Sequence, residues 1–163
     1  MKRKIVLRYV SLICVVSVLA ACSTPPQQQP QDTLYVRLEQ SGTQLDPVAA
    51  VSLINAYRRA NGLAPLQLDG ELMRVAEQAA DKAAREDRST FGEMPQLPLS
   101  AGRPAQVKLS AGYLTMAEAF SGWRDVPLYN KTLLSREARA LGIAAIRAPQ
   151  GKYRVYWALA TDG

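Results

Sequence analysis

The sequence predicts an α/β domain in which helices cover a mainly antiparallel sheet, and two observations predict it. Apolar residues recur at helical spacing in three segments. Two β-rich runs between residues 141 and 160 are joined by a turn sequence. Helices followed by a closing hairpin favour an α/β sandwich around one core. From residue 32 onward about 130 residues are available, which suffices for a single domain.

Capping residues and apolar spacing mark the first two helices. Asp46 can cap a helix whose first residue is Pro47 and which ends at Asn61-Gly62. The second helix begins near Asp69, and alanines recur along its apolar face up to Ala83. Because small side chains let neighbouring backbones approach, we expect this helix to pack closely against its neighbour.

A capping box opens the third helix. Thr115 and Glu118 stand three residues apart ahead of an apolar run, and Val126-Pro127 stops the helix. The apolar stripe holds a methionine and two aromatic residues, a composition more often found in a core than in a ligand site. Its members are Met116, Ala119, Phe120 and Trp123.

Strands are predicted mainly in the last part of the sequence. The runs 141–148 and 153–160 are rich in β-forming residues, and Pro149-Gln150-Gly151-Lys152 between them is a hairpin signal. Residues 91–112 mix prolines and glycines with isolated apolar residues, which indicates an irregular loop with one short strand at 107–109. The closing hairpin is therefore expected to form the centre of the sheet.

The N-terminal residues have the layout of an export signal. A basic flank, Met1–Lys4, precedes an apolar stretch over 5–21 that has no acidic residue and is short for a permanent membrane helix. Leu19-Ala20-Ala21-Cys22 resembles the lipobox of bacterial lipoproteins, which implies cleavage before Cys22 and acylation of its thiol. Ser23 stands where an Asp would retain a lipoprotein in the inner membrane, which implies the periplasmic face of the outer membrane.

Three regions follow from this layout. Residues 1–21 are predicted to be a lipoprotein signal peptide, and residues 22–31 an acylated cysteine with a Pro/Gln-rich tether that has little to bury. Residues 32–163 are predicted to form the domain. Several acyl chains on one cysteine would hold such a domain at a bilayer surface, because each buried methylene contributes about 0.8 kcal/mol.

The charge of the chain is concentrated in the predicted signal. The whole sequence carries a net charge of +6, but residues 1–21 hold four of its 20 basic residues and none of its 14 acidic ones. The remainder is therefore close to neutral, at +2, and gives no reason to expect a nucleic-acid partner. Both cysteines lie at or before residue 22, so the predicted domain must be held together without a disulfide.

A series of motifs covers residues 48–160 in a specific order. They are Ile54-Asn55-Ala56-Tyr57-Arg58-Arg59-Ala60-Asn61-Gly62-Leu63-Ala64-Pro65-Leu66, Leu68-Asp69, Ser110-Ala111-Gly112-Tyr113, Glu118-Ala119, Trp123, Pro127, Leu133-Leu134, Leu141-Gly142-Ile143 and Tyr156-Trp157. In this order they resemble the bacterial CAP superfamily domain, also called SCP-like. The resemblance implies that family's three-layer α-β-α sandwich.

The metal ligands of the family are missing from the matching positions. Members that bind a divalent metal in the central cleft use two histidines and acidic residues, and the resemblance places the equivalent positions near Thr90 or Phe91, at Val107 and at Tyr129. The chain has no histidine at all, which removes the side chain that titrates near neutral pH and the histidine-based triads and zinc sites. No metal or cofactor is therefore expected.

Other catalytic signatures are equally scarce. No Gly-x-Ser-x-Gly elbow, Ser-x-x-Lys pair or glycine-rich phosphate loop is found in the sequence. Carboxylates are the remaining candidates: Glu77 with Asp81 at helical spacing, Glu86-Asp87 and Glu93. Charges on the polar face of an amphipathic helix are, however, usually solvated surface.

Two functions from different classes follow. The first is a non-catalytic, membrane-anchored envelope lipoprotein, attached through Cys22, whose CAP-like domain binds a partner or plays an accessory role. Its cleft, lined by Tyr113, Trp123 and Tyr129, would hold an apolar ligand or an envelope protein, as the lipid binding of some relatives implies. The second is a divergent hydrolase acting on cell-wall or peptide substrates through carboxylates. A purely structural role without a small ligand is a third outcome.

Overall fold

The computed structural model describes residues 30–89, 97–98 and 104–163. The predicted signal peptide, most of the tether, and Thr90, Phe91 and Glu93 lie outside the described residues. The elements are α1 (Pro30–Thr33), α2 (Pro47–Ala60), β1 (Gln67–Leu68), α3 (Gly70–Arg85), β2 (Leu97–Pro98), β3 (Pro104–Ala111), α4 (Met116–Asp125), α5 (Pro127–Leu133), β4 (Ala140–Arg147) and β5 (Val155–Thr161).

The predicted helix starts are confirmed by their caps. The Asp46 carboxylate accepts hydrogen bonds from the backbone N–H groups of Val48 and Ala49, and Asp69 caps α3 in the same way. Thr115 and Glu118 form the complete capping box at the start of α4. Each cap satisfies backbone donors that the first helical turn leaves unpaired, which fixes where the helix begins.

The helix α5 was not predicted from the sequence. Val126-Pro127 was expected to stop a helix, and α4 does end at Asp125, but Pro127 is also the first residue of α5. The fixed φ of proline suits the first helical position, where its missing N–H has no partner to lose. The same dipeptide therefore ends one helix and starts the next.

The strands form one mixed sheet in the order β1-β4-β5-β3-β2. Among the strands that the structure describes, only the β1–β4 pair is parallel; the other three pairs are antiparallel, as predicted for most of the sheet. The predicted short strand at 107–109 is the middle of β3, which extends over eight residues because it pairs with β5 along much of that length. β5 starts at Val155, two residues later than predicted, because the hairpin turn includes Arg154 at φ +67°.

Helices cover both faces of this sheet, so the predicted α-β-α sandwich is confirmed. Alternate residues of β5 point to opposite faces: Trp157 and Leu159 join the core beneath α2, α4 and α5, whereas Tyr156 and Ala158 join the core beneath α3. The α3 face is made largely of alanine, so this helix lies close to the strands. Among the described residues, no helix is both long and apolar enough to cross a membrane.

Candidate functional site

Three large aromatic residues meet in the core beneath α4 and α5. The rings of Trp123 and Tyr129 are stacked, with centroids 6.5 Å apart and an angle of 12° between planes. Trp157 meets Trp123 edge to face at 5.8 Å. These are favoured geometries for aromatic pairs, worth about 0.5–1.5 kcal/mol each beyond the area that they bury.

The polar ends of these rings are all used inside the protein. Trp123 Nε1 donates to the Ser110 hydroxyl at 2.9 Å, and Trp157 Nε1 donates to the Tyr113 carbonyl oxygen at 2.8 Å. The Tyr129 hydroxyl donates to the carbonyl oxygen of Leu109. The strand β3 and the residues that follow it thus provide every acceptor, and the cluster ties α4 and α5 to the sheet.

The structure brings the three predicted cleft residues together, but as packed core rather than as the wall of an open cleft. Trp123 and Tyr129 are each only 1% exposed. Tyr113 is partly buried at the edge of the cluster, and its ring lies directly over Gly122, where any side chain would overlap it. Neither of the two cavities described below is lined by these three residues. The aromatic stripe is therefore core, as its composition indicated.

Of the positions that the resemblance assigned to metal ligands, the two in the described part of the chain, Val107 and Tyr129, lie on opposite faces of the sheet. Val107 belongs to the core beneath α3, and Tyr129 belongs to the core on the opposite face of the sheet. Val107 has no donor atom, and the Tyr129 hydroxyl is engaged with a backbone carbonyl. The described residues also contain no group of three histidine, cysteine or acidic side chains that could hold a metal ion. These residues do not fit a divalent metal.

The candidate carboxylates are dispersed among structural contacts. Asp81 forms an ion pair with Arg85 one turn along α3, and Glu86 pairs with Arg88 at 2.9 Å. Asp87 accepts hydrogen bonds from the backbone N–H of Lys152, at 3.0 Å, and from the Tyr156 hydroxyl. That carboxylate therefore joins the end of α3 to the β4–β5 turn. Each of these three carboxylates is thus engaged with a partner inside the protein.

Burial raises the pKa of the Tyr129 phenol above its ordinary value near 10, with a smaller contribution from Tyr113. In the unfolded chain the phenol ionises near pH 10, whereas in the folded protein it stays neutral and keeps its hydrogen bond to Leu109. The stabilisation linked to this group is therefore complete below about pH 10 and is lost as the pH rises above that value.

We expect Tyr129→Phe to lower the free energy of unfolding at neutral pH by about 1–2 kcal/mol, because a buried hydrogen bond is lost. The variant should also lose less stability than the wild type between about pH 9 and about pH 11. Urea unfolding at both pH values measures the difference, and Tyr35→Phe, at an exposed position, is the control. If the free energy of unfolding of Tyr129→Phe and of the wild type fell equally over this pH range, the buried Tyr129 phenol would not be responsible for the pH dependence.

A cavity that was not predicted from the sequence lies between α5, the loop 134–137 and β3. Its volume is about 630 Å³, and among the described residues that line it Lys108, Lys131 and Arg136 are basic and Glu137 is acidic. Hydrogen bonds from its own backbone N–H and from the Ser135 hydroxyl lower the pKa of Glu137. The sequence did contain one indication of this cavity. Along β3, polar residues at 106, 108 and 110 alternate with small and apolar ones, which is typical of a strand with one polar face.

A second cavity, of about 550 Å³, lies between β4, α3 and the segment 38–47. Leu38, Leu45, Met73 and Ile143 form its apolar part, and Glu77 and Arg147 are the charged residues at its border. Arg147 Nε donates to the carbonyl oxygen of Glu39 at 2.6 Å, which fastens the segment to the strand. Glu77, one of the candidate carboxylates, therefore borders a groove, and it is the one carboxylate among the described residues that line it.

Comparison with known proteins identifies the class. The sequence profile of CAP, the cysteine-rich secretory protein family, matches residues 51–160. The chain therefore belongs to the CAP family, as the motif order predicted. The matched residues contain no cysteine, since both cysteines of the chain precede them. No curated protein matches the sequence.

Solved structures of bacterial proteins share the fold. An outer surface protein from Borrelia burgdorferi has 16% identity and a TM-score of 0.55, and the match covers 74% of this chain and 98% of that one. An extracellular protein containing an SCP domain from Bacillus anthracis has 19% identity and a TM-score of 0.56, over 71% of this chain and 39% of that one. A cysteine-rich secretory protein from Staphylococcus aureus has 12% identity and a TM-score of 0.53, over 75% of this chain and 40% of that one. These neighbours are described as secreted, extracellular or surface proteins, which is consistent with export.

Proposed function

We propose that this chain is an envelope lipoprotein whose CAP domain acts by binding rather than by catalysis. The observation that carries the non-catalytic part of the proposal is the closed aromatic cluster of Trp123, Tyr129 and Trp157, whose polar atoms are all engaged with the protein itself. One of the three, Tyr129, stands where the family resemblance places a metal ligand. A side chain that is buried and hydrogen-bonded in this way stabilises the fold and is not available to a substrate.

Export and anchoring come from the sequence before the described domain. Residues 1–21 act as the signal peptide, and Cys22 becomes the acylated N-terminus on a tether that reaches to residue 31. Ser23 directs the protein to the periplasmic face of the outer membrane. The outer surface protein from Borrelia burgdorferi, which is matched over 98% of its chain, is a precedent for this fold at a bacterial surface.

The membrane is the first partner in this account, and an envelope protein or a small ligand is the second. Of the three predicted cleft residues, Tyr113 alone is partly exposed, so an apolar ligand at the aromatic cluster would contact Tyr113 first. Contact with the deeper rings would require α4 and α5 to move away from β3, which breaks the hydrogen bonds to Ser110 and Leu109.

Cell fractionation tests the anchoring. We expect the wild-type chain in the outer-membrane fraction of a Gram-negative host and the Cys22→Ser variant either uncleaved in the inner membrane or absent from the outer membrane, because serine has no thiol to acylate. Cys14→Ser, within the predicted signal, is the matched control and should leave the location unchanged. Outer-membrane location of the Cys22→Ser variant would contradict a lipid anchor.

A turnover assay tests the non-catalytic part. The purified chain is incubated with peptidoglycan and with peptide libraries over about pH 4–9, the range in which carboxylates act as general acids and bases. We expect no product above a buffer control. Hydrolysis that is lost on replacement of Glu77, the carboxylate that borders the groove, would favour a divergent hydrolase instead.

A further inference from the structure

The cavity beside α5 combines a buried cation with two exposed ones. Lys108 is 3% exposed and lines the cavity from β3, while Lys131 and Arg136 line it from α5 and from the following loop. Lys108 also takes part in an interaction within the protein. An ammonium group has three N–H donors, so it can serve an internal acceptor and a ligand at the same time.

The buried position of Lys108, on the side of the sheet that faces α5, is unusual for a lysine. Lysine is among the residues least often fully buried, because removing an ammonium from water costs several kcal/mol. The neighbouring core positions on this face of β3 and β5, Ser110 and Trp157, are small or apolar. A cation kept at this position, with two more at the mouth of the same cavity, indicates a role for positive charge there.

The wall of the cavity is held in place from the core. The buried guanidinium of Arg58 donates to the carbonyl oxygens of Leu133, at 2.8 Å, and Ser135, at 2.9 Å. These bonds fix the loop that carries Arg136. A site whose wall is fixed before binding loses little entropy when a ligand binds.

We propose that this cavity binds a phosphate group, free or on an alcohol or lipid headgroup, through Lys108, Lys131 and Arg136. Lysine and arginine provide charge-assisted hydrogen bonds to phosphate oxygens. Thr132, whose hydroxyl donates to the Leu128 carbonyl oxygen, belongs to the same lining. Leu128 and Leu134 give the mouth an apolar border for the carbon part of a headgroup. The inference deepens the binding role proposed above and rests on it.

Titration of the full chain in a non-ionic maltoside detergent tests the site. Inorganic phosphate and glycerol 3-phosphate are added at constant ionic strength, and backbone amide shifts are followed by nuclear magnetic resonance. We expect saturable shifts in α5, the loop 134–137 and β3, with millimolar or tighter affinity. The double variant Lys131→Ala, Arg136→Ala should weaken binding at least about tenfold, whereas Lys82→Ala, an exposed lysine on α3, should not.

The possible results distinguish free phosphate from a phosphorylated headgroup as the ligand. They also distinguish failure of the phosphate site from failure of the envelope role. Tighter binding of glycerol 3-phosphate points to a phosphorylated alcohol or lipid headgroup, and equal binding points to free phosphate; both support the site. Absence of saturable shifts, shifts elsewhere, or equal affinity in the double variant would overturn it. If the chain is lipidated but phosphate does not bind, the phosphate site is wrong and the envelope assignment stands. If phosphate binds to a chain that is not lipidated in cells, the phosphate site stands and the envelope assignment is wrong.

Discussion

Replacing Gly142 with alanine is expected to destabilise the domain by about 3 kcal/mol, at the upper end of the cost of overpacking a core. A Cβ at this position would overlap the backbone carbonyl of Leu72 and the amide nitrogen of Met73 in the first turns of α3. Because the neighbour is helix backbone rather than a flexible side chain, α3 itself would have to move off the sheet. Gly142 is therefore the point that sets how closely α3 approaches β4.

Urea unfolding followed by the fluorescence of Trp123 and Trp157 measures this effect, since both tryptophans of the chain lie in the core. Gly70→Ala is the matched control. A Cβ on Gly70 meets no atom within 4 Å, so alanine at the start of α3 should change stability by less than about 0.5 kcal/mol. Equal stability of the two variants would show that α3 can shift without cost.

Replacing Arg58 with methionine is expected to cost about 3 kcal/mol or more. The guanidinium is 1% exposed and donates to three backbone carbonyls, through Nε to Ala64 at 2.8 Å and through Nη1 to Leu133 and Ser135. Methionine matches much of the volume but leaves these acceptors without their donor. Burial lowers the pKa of Arg58 from its ordinary value, yet arginine remains charged throughout the physiological range.

The neighbouring Arg59 is exposed and provides the control, because Arg59→Met should change stability by less than about 0.5 kcal/mol. Arg58→Lys should recover only part of the loss, since an ammonium cannot reproduce the planar fork of donors. Urea midpoints of the three variants test the assignment. A loss of similar size in Arg59→Met would mean that charge, rather than the three hydrogen bonds, is responsible.

The sequence predicted best those elements whose ends are set by local chemistry. Asp46, Asp69 and the Thr115–Glu118 box determine helix starts through side chains that lie within three residues of the groups they cap. The strand β1 was missed because its two residues pair in parallel with β4, more than seventy residues away, and nothing local indicates that pairing. The full length of β3 was missed for the same reason.

The three residues predicted to line a cleft lie near one another, but they form closed core instead of the wall of an open cleft. The helical spacing of Trp123 and its neighbours indicated core, whereas the first functional hypothesis placed Trp123 in a cleft with Tyr113 and Tyr129. Whether such rings line an open space depends on acceptors from another element, here Ser110 and Leu109 of β3, and no local pattern reveals them. The cationic cavity was missed because its residues come from β3, α5 and the loop after α5, and meet only through the packing of α5 beside β3.

The central claim, that this member of the CAP family is a lipid-anchored envelope protein, is tested most directly by the intact mass of the chain extracted from bacterial membranes. The account predicts a polypeptide that begins at Cys22, has lost residues 1–21 and carries the added mass of acyl chains. The Cys22→Ser variant should show no acyl mass. A wild-type polypeptide that retains residues 1–21, or one cleaved elsewhere without acylation, would contradict the account.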